Sequence, residues 1–119
     1  MSMPRVQIFG VKNSQATRAA ERFFKERRVE FQLVDLKIKP MAPGEIKRFI
    51  DRFTLAGLID MEGKSFVDAG LQHIRITDPD LLKRIERDPL LLRLPLVRGG
   101  NLLSLGKDEA AWKAMAEAR

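Results

Sequence analysis

The chain has no cysteine among its 119 residues. This absence excludes disulfide bonds, thiolate metal sites and any redox chemistry that uses thiols of the protein itself. The chain has one histidine, His73, and a single imidazole does not make a metal site. The sequence therefore predicts a protein without a bound metal and without a cysteine nucleophile.

Long apolar runs are also lacking. No segment approaches the roughly 20 consecutive apolar residues that a membrane-spanning helix needs, and no signal-peptide pattern is present. We therefore expect no membrane association and a cytoplasmic location. The sequence contains no internal repeat, no low-complexity tract and no run of five basic residues.

What the chain does have is a hydrophobic fraction of 45% and a net charge of +6, with a pI of about 10.1. This length and hydrophobic content are typical of a single globular domain with its own core. The positive charge favours anionic partners such as nucleic acid, acidic proteins or phosphorylated ligands. Because no aromatic and basic signature of RNA binding is present, we favour solvated basic helix faces, and nucleic-acid binding is the weaker alternative.

The clearest pattern lies near the N-terminus, where an apolar strand, a loop and a helix follow one another. Val6, Ile8 and Phe9 predict a buried strand. Ser14 is a favoured N-cap residue, and the apolar spacing after it predicts a helix to about Arg27. The backbone N–H groups at the start of such a helix attract anions to the region over Ser14.

The rest of the chain predicts shorter elements. They are a strand over 29–35, a helix from 43, an apolar loop over 55–58, a short helix over 64–70, a helix over 77–87, a turn over 88–92, a strand over 94–97, a turn at Gly99-Gly100, a strand over 101–105 and a helix from 107. Strands joined by a helix should be parallel, and strands joined by a two-residue turn should be antiparallel.

This order of elements predicts an α/β fold. A β-α-β unit, several helices and a final β-β-α unit correspond to a thioredoxin-like mixed sheet with an inserted helical subdomain. In a single domain of residues 1–119, we expect the thioredoxin-like halves over 1–39 and 88–119 and the helical insertion over 40–87.

Six short segments carry a family likeness. They are Gly10-Val11-Lys12-Asn13, Arg18 with Ala20, Pro40 to Lys47, Ser65 to Leu71, Asp88 to Val97, and Leu105-Gly106 with Asp108-Glu109. In this order they resemble the ArsC/Spx family of small arsenate reductases and Spx regulators. The resemblance covers nearly the whole length. It implies the same thioredoxin-like fold and a cis peptide bond between Leu94 and Pro95.

The resemblance also implies where the functional residues of the family fall. In the reductases, a cysteine at the start of the first helix attacks arsenate, and arginines hold the oxyanion. Ser14 occupies the cysteine position, and Thr17 occupies the second cysteine position of the C-x-x-C members. The arginine positions fall on Asp60, Leu94 and Ser104. Since every matched position is changed, the resemblance implies a naturally diverged member without the catalytic residues.

Ser14 has two interpretations. As a nucleophile, its hydroxyl would need an adjacent base, and His73 has no evident acidic partner in the sequence. As an N-cap, its oxygen would accept a backbone hydrogen bond worth about 1 kcal/mol, which is the favoured interpretation. An anion site over the helix is a further hypothesis, with the candidate residues Lys12, Asn13, Ser14, Arg18 and Arg93.

These observations lead to two hypotheses about function. The first is a non-catalytic ArsC/Spx-like protein that acts by binding a macromolecule, without thiol redox chemistry and without a cofactor. Resemblance to the Spx-type members implies the RNA polymerase α subunit as a partner. The second is an arsenate reductase-like or glutathione-dependent oxidoreductase, in which an external thiol performs the reduction and the protein holds the oxyanion.

Overall fold

The computed structural model describes residues 6–117. The strands are β1 (Val6–Gly10), β2 (Phe31–Asp35), β3 (Leu96–Gly99) and β4 (Leu102–Leu105). The helices are α1 (Gln15–Glu26), α2 (Pro43–Phe53), α3 (Leu55–Leu58), α4 (Lys64–Asp68), α5 (Asp78–Arg87) and α6 (Glu109–Glu117), with 3₁₀ turns at Leu71–His73 and Pro89–Leu91. Within this part of the chain, no helix has the length and apolar character needed to cross a lipid bilayer.

The described residues divide into two compact units. Residues 6–35 and 94–117 form the sheet unit, and residues 36–93 form the helical unit. The helical unit thus extends a few residues beyond the predicted insertion on both sides. At its end, Ile59 and Leu92 form an isolated antiparallel bridge, and the Arg93 N–H donates to the Leu58 carbonyl at 2.8 Å. These bonds tie the turn over 88–92 to the helices before it.

The sheet unit is a four-stranded mixed sheet in the order β2-β1-β3-β4. β1 pairs with β2 in parallel, and Ile8 lies opposite Leu33. β3 pairs antiparallel with both β1 and β4, and Val97 lies opposite Ile8 on one side and Ser104 on the other. The predicted parallel β-α-β unit, the antiparallel hairpin and the thioredoxin-like α/β fold are confirmed.

The core of the sheet unit is built around aromatic side chains. Phe24 on α1 and Trp112 on α6 are fully buried, as are Ile8 and Val97 on the central strands. The rings of Phe23 and Trp112 meet edge to face, with centroids 5.6 Å apart and planes at 61°. Because large rings bury much apolar surface and prefer this geometry, α1 and α6 are held through them.

The core of the helical unit is formed by residues from several separate helices. Phe49 on α2 and Leu58 on α3 are fully buried, and Ile85 on α5 is nearly so. α4 buries no residue. α5 begins at Thr77, whose Oγ1 accepts a hydrogen bond from the Asp80 N–H at 3.3 Å, as expected for a capping threonine.

The prediction of an apolar loop over residues 55–58 is wrong. These residues form the one-turn helix α3, because the Oγ1 of Thr54 accepts a hydrogen bond from the Gly57 N–H at 3.1 Å and caps it. Thr54 takes a positive φ of 68°, which is unusual for a β-branched residue and is not readable from sequence.

The predicted hairpin turn is displaced by one residue. Gly99 pairs with Leu102, so the turn consists of Gly100 and Asn101 instead of Gly99 and Gly100. A Cβ on Gly99 would lie 2.8 Å from Cγ of Met115, so this glycine allows α6 to approach β3. β2 and β3 each begin two residues later than predicted.

Candidate functional site

The start of α1 is organised by Ser14. Its φ of −83° and ψ of 122° are those of an N-cap residue, and its Oγ accepts a hydrogen bond from the Thr17 N–H at 3.2 Å. Its carbonyl accepts from the Arg18 N–H at 3.1 Å, which closes the first helical turn. The Ser14 side chain is half-buried. Its hydroxyl oxygen therefore serves helix α1 as a capping acceptor.

The surroundings of the Ser14 hydroxyl bear on whether it could act as a nucleophile, which would need an adjacent base. No imidazole or carboxylate in the described part of the chain forms a hydrogen bond with the Ser14 Oγ. His73 is an exposed residue of the helical unit. In the sheet unit, the Ser14 Oγ instead accepts from the Thr17 N–H, as an N-cap requires.

Thr17 is a core residue. It is fully buried, and its Oγ1 has no hydrogen-bond partner among the described residues. Gly10, at the end of β1, packs directly against it, and a Cβ on Gly10 would lie 2.4 Å from the Thr17 Oγ1. The second cysteine position of the C-x-x-C relatives is thus filled here by a side chain that supports the contact between α1 and β1.

Two positions that the resemblance assigns to arginine, Leu94 just before β3 and Ser104 on β4, are buried and uncharged. Leu94 is 9% exposed and Ser104 is 1% exposed, and Ser104 Oγ has no partner among the described residues. The Leu94–Pro95 peptide bond is cis, which is the geometry the resemblance implies. Neither Leu94 nor Ser104 supplies a charge that would hold an oxyanion.

Asp60 and Arg93 lie in the helical unit, on either side of the bridge between Ile59 and Leu92. The Asp60 N–H donates to the Leu91 carbonyl at 2.9 Å. The Arg93 Nε donates to the Ile59 carbonyl at 3.4 Å, and the Arg93 side chain is otherwise exposed. Both residues therefore take part in joining the end of this unit to α3.

A basic groove runs along the exposed side of α1. Arg18 and Arg22 lie one helical turn apart. Together with Lys107 they line a groove of about 580 Å³, and its other lining residues are Gln15, Ala16 and Ala19. None of these lining residues is acidic, although Lys107 Nζ lies 3.9 Å from Glu109 Oε1. The arrangement suits an anionic ligand.

The groove contains only one of the predicted anion-binding residues, Arg18. Lys12 and Asn13 are exposed but do not line it. Sequence reasoning missed Arg22 and Lys107 as site residues. The spacing of four between Arg18 and Arg22 was a usable signal, whereas the position of Lys107 depends on the packing of the β4–α6 loop. Among the described residues, no group of three or more histidines or acidic residues is placed to hold a metal ion.

Comparisons with known proteins match this chain to one family. The ArsC family model matches residues 9–115. Arsenate reductase of Neisseria meningitidis serogroup A is 25% identical over 108 residues, which are 88% of this chain and 92% of the relative.

Solved structures show the same fold. Arsenate reductase from Vibrio cholerae superposes with a TM-score of 0.77 at 13% identity, over 96% of this chain and 99% of the other. An ArsC-family-related protein from Bacteroides fragilis gives 0.75 at 14% identity, over 93% and 97%. These likenesses establish the fold.

Proposed function

The chain belongs to the ArsC family, and we propose that it is a non-catalytic member that acts by binding a macromolecular partner. The observation that carries this proposal is the absence of cysteine from all 119 residues. The family's reduction of arsenate starts from a cysteine thiolate. A serine hydroxyl at that position has a far higher pKa than a thiol and needs a base that the sheet unit does not provide.

The geometry supports the same conclusion at four positions. The Ser14 Oγ is occupied as a helix cap. Thr17 is enclosed in the core, and Leu94 and Ser104 bring no charge to the ends of β3 and β4. The structural roles of Ser14 as a cap and Thr17 as a core residue support a fold that does not depend on the family's chemistry.

The partner we propose is a protein. Resemblance to the Spx-type members suggests the C-terminal domain of the RNA polymerase α subunit. Isothermal titration of this domain into the purified chain tests that suggestion directly. Saturable binding with one site per chain is expected, and no heat of binding at 100 μM domain would remove this partner from the proposal.

An arsenate reductase-like activity is the second candidate, and the basic groove on α1 favours it. In this alternative an external thiol such as glutathione reduces an oxyanion held by Arg18, Arg22 and Lys107. Relatives named arsenate reductase fit the same alternative. This alternative requires that a protein without a thiol of its own catalyses the reduction.

One assay separates the two candidates. Arsenate reduction is measured with glutathione or thioredoxin supplied, for the unchanged protein, for Ser14→Cys and for Ser14→Ala as the control. We expect no rate above the thiol background for the unchanged protein or for Ser14→Ala. Activity in Ser14→Cys alone would mean that the rest of the site is intact, and activity in the unchanged protein would overturn the proposal.

A further inference from the structure

The helical unit contains a second groove, which none of the family-matched positions explains. It has a volume of about 580 Å³ and runs between α5 and the segment before it, over residues 69–77. Four of its lining residues are cations: Arg75, Lys83, Arg84 and Arg87. We call this surface the α5 groove.

The cations of the α5 groove form no direct ion pairs with the described residues. Lys47, Lys64 and Lys107 each pair with an acidic residue, whereas no ion pair within 4 Å to a described residue involves a cation of this groove. Four unpaired cations in one place raise the free energy of the surface by mutual repulsion, which an anionic partner would relieve.

Two acidic residues also line the α5 groove, and they act locally. The Asp88 Oδ1 accepts a hydrogen bond from the Leu90 N–H at 3.1 Å, which caps the following 3₁₀ turn. Asp80 lies in the first turn of α5, where a carboxylate stabilises the helix dipole. The groove lining thus has two more positive than negative charges.

The α5 groove is also apolar along part of its wall. Ile74 is 50% exposed, Ile76 is half-buried and Leu91 is buried. An isoleucine half exposed to water among four cations is unfavourable for the free protein, because exposing apolar area to water costs free energy. Covering it with an apolar side chain would recover this free energy.

We propose that the α5 groove binds an acidic, amphipathic segment of a protein partner. Carboxylates of that segment would pair with Arg84, Arg87 and their neighbours, and one apolar side chain would cover Ile74. This inference rests on the proposed function, since it names the surface and the partner chemistry for the binding described above. A protein segment fits better than nucleic acid, because no aromatic side chain lines the groove for base stacking and part of its wall is aliphatic.

The test uses a synthetic peptide as the probe. A fluorescein-labelled 16-residue helical peptide carries Glu on one face and Leu on the other, and its anisotropy is followed at 150 mM salt. Arg84→Glu with Arg87→Glu should weaken binding by about tenfold or more, and Ile74→Asp by about fivefold. Circular dichroism verifies that each variant is folded.

A matched control keeps the net charge equal. Arg48→Glu with Lys113→Glu reverses two exposed cations that lie in neither groove, and it should change the affinity less than about twofold. Backbone amide shifts in NMR spectra of the peptide complex should concentrate in residues 69–91. A peptide with Ser in place of Leu should bind several-fold more weakly.

Four results would overturn the inference. They are no binding to the unchanged protein, equal losses in the reversal and control variants, equal binding of the Leu and Ser peptides, and tighter binding of a single-stranded oligonucleotide at the same residues.

Failure of this inference is distinct from failure of the proposed function. If the polymerase domain binds and is insensitive to Arg84→Glu with Arg87→Glu, the function stands and this surface is wrong. Arsenate turnover by the unchanged protein would refute the function whatever the peptide does.

Discussion

The sheet unit and the helical unit of this protein differ in how completely they bury their apolar residues. In the sheet unit, Trp112, Phe24, Ile8 and Val97 are all fully enclosed. Of the large apolar side chains exposed within residues 6–117, Leu102 belongs to the sheet unit, whereas the helical unit contains Ile38, Met61, Val67, Ile74 and Leu90.

Under the proposed function, the sheet unit provides stability and the helical unit provides the surface for recognition. At the start of α1, Ser14 caps the helix and Thr17 packs in the core of the sheet unit. The unpaired cations and the half-exposed Ile74 lie in the helical unit instead. We therefore expect substitutions in the sheet unit to change the free energy of unfolding and substitutions in the α5 groove to change binding.

The largest effect is expected at Trp112. Trp112→Ala should lower the free energy of unfolding by roughly 3–5 kcal/mol, because it removes the ring that packs against Phe23 and Phe24. Trp112→Phe is the control. It keeps an aromatic ring and removes the buried indole N–H, which has no partner among the described residues. Trp112→Phe should therefore lower the free energy of unfolding by only about 1 kcal/mol. Urea denaturation measures both, and equal losses would show that ring packing does not dominate this core.

A smaller loss is expected at Gly10. Gly10→Ala places a methyl group where the Thr17 side chain already lies, 2.4 Å away at the closest atom. Overpacking of this kind costs about 1–3 kcal/mol. Thr17→Ala in the same chain should recover part of the loss, and a double-mutant cycle measures the coupling. Additive losses from the two substitutions would contradict the direct contact.

Each unit has a helix whose N-cap side chain accepts a hydrogen bond from a backbone N–H, so the two caps can be compared. Ser14→Ala should destabilise the protein by about 1 kcal/mol, and Thr77→Ala by about 0.5 kcal/mol, because Thr77 is exposed and its hydrogen bond of 3.3 Å is longer. Thermal unfolding followed by circular dichroism ranks them. A Ser14→Ala variant as stable as the unchanged protein would leave the serine without its structural explanation.

The smallest effect is expected at Lys64. The Asp68 carboxylate accepts a hydrogen bond from Lys64 and raises the pKa of this ammonium above its usual 10.5. A raised pKa means that the stabilisation is complete below pH 10.5 and is lost as the pH rises through the folded-state pKa.

Because both partners are exposed, Lys64→Gln should leave the melting temperature at pH 7 within about 2 °C of that of the unchanged protein. The equally exposed pair of Lys47 and Asp51 provides Lys47→Gln as the control. A drop of many degrees in Lys64→Gln alone would show that α4 contributes more to stability than its lack of buried residues suggests.

Local patterns in the sequence were sufficient for much of the fold. The apolar run of Val6, Ile8 and Phe9 and the capping residue Ser14 predicted β1 and the start of α1, and both lie where they were predicted. The thioredoxin-like order of elements followed from the same short-range signals. The one-turn helix α3 was missed because it depends on Thr54 adopting a positive φ, which its sequence does not signal.

The candidate site was less predictable. The predicted anion-binding residues Lys12, Asn13 and Arg93 do not line the basic groove on α1, whose cations are Arg18, Arg22 and Lys107. The α5 groove was not predicted at all. Its cations come from α5 and from the segment before it, and only the packing of that segment places Arg75 opposite Arg84 and Arg87 in one groove.

By itself, the sequence determined which chemistry is absent and which elements form. An absent cysteine cannot be restored by folding, and caps and apolar periodicity act over a few residues of the chain. The tertiary structure alone decided that Thr17 lies against Gly10, that Leu94 and Ser104 are buried, and which cations share a groove. These outcomes depend on contacts between residues distant in sequence, whose positions no local pattern specifies.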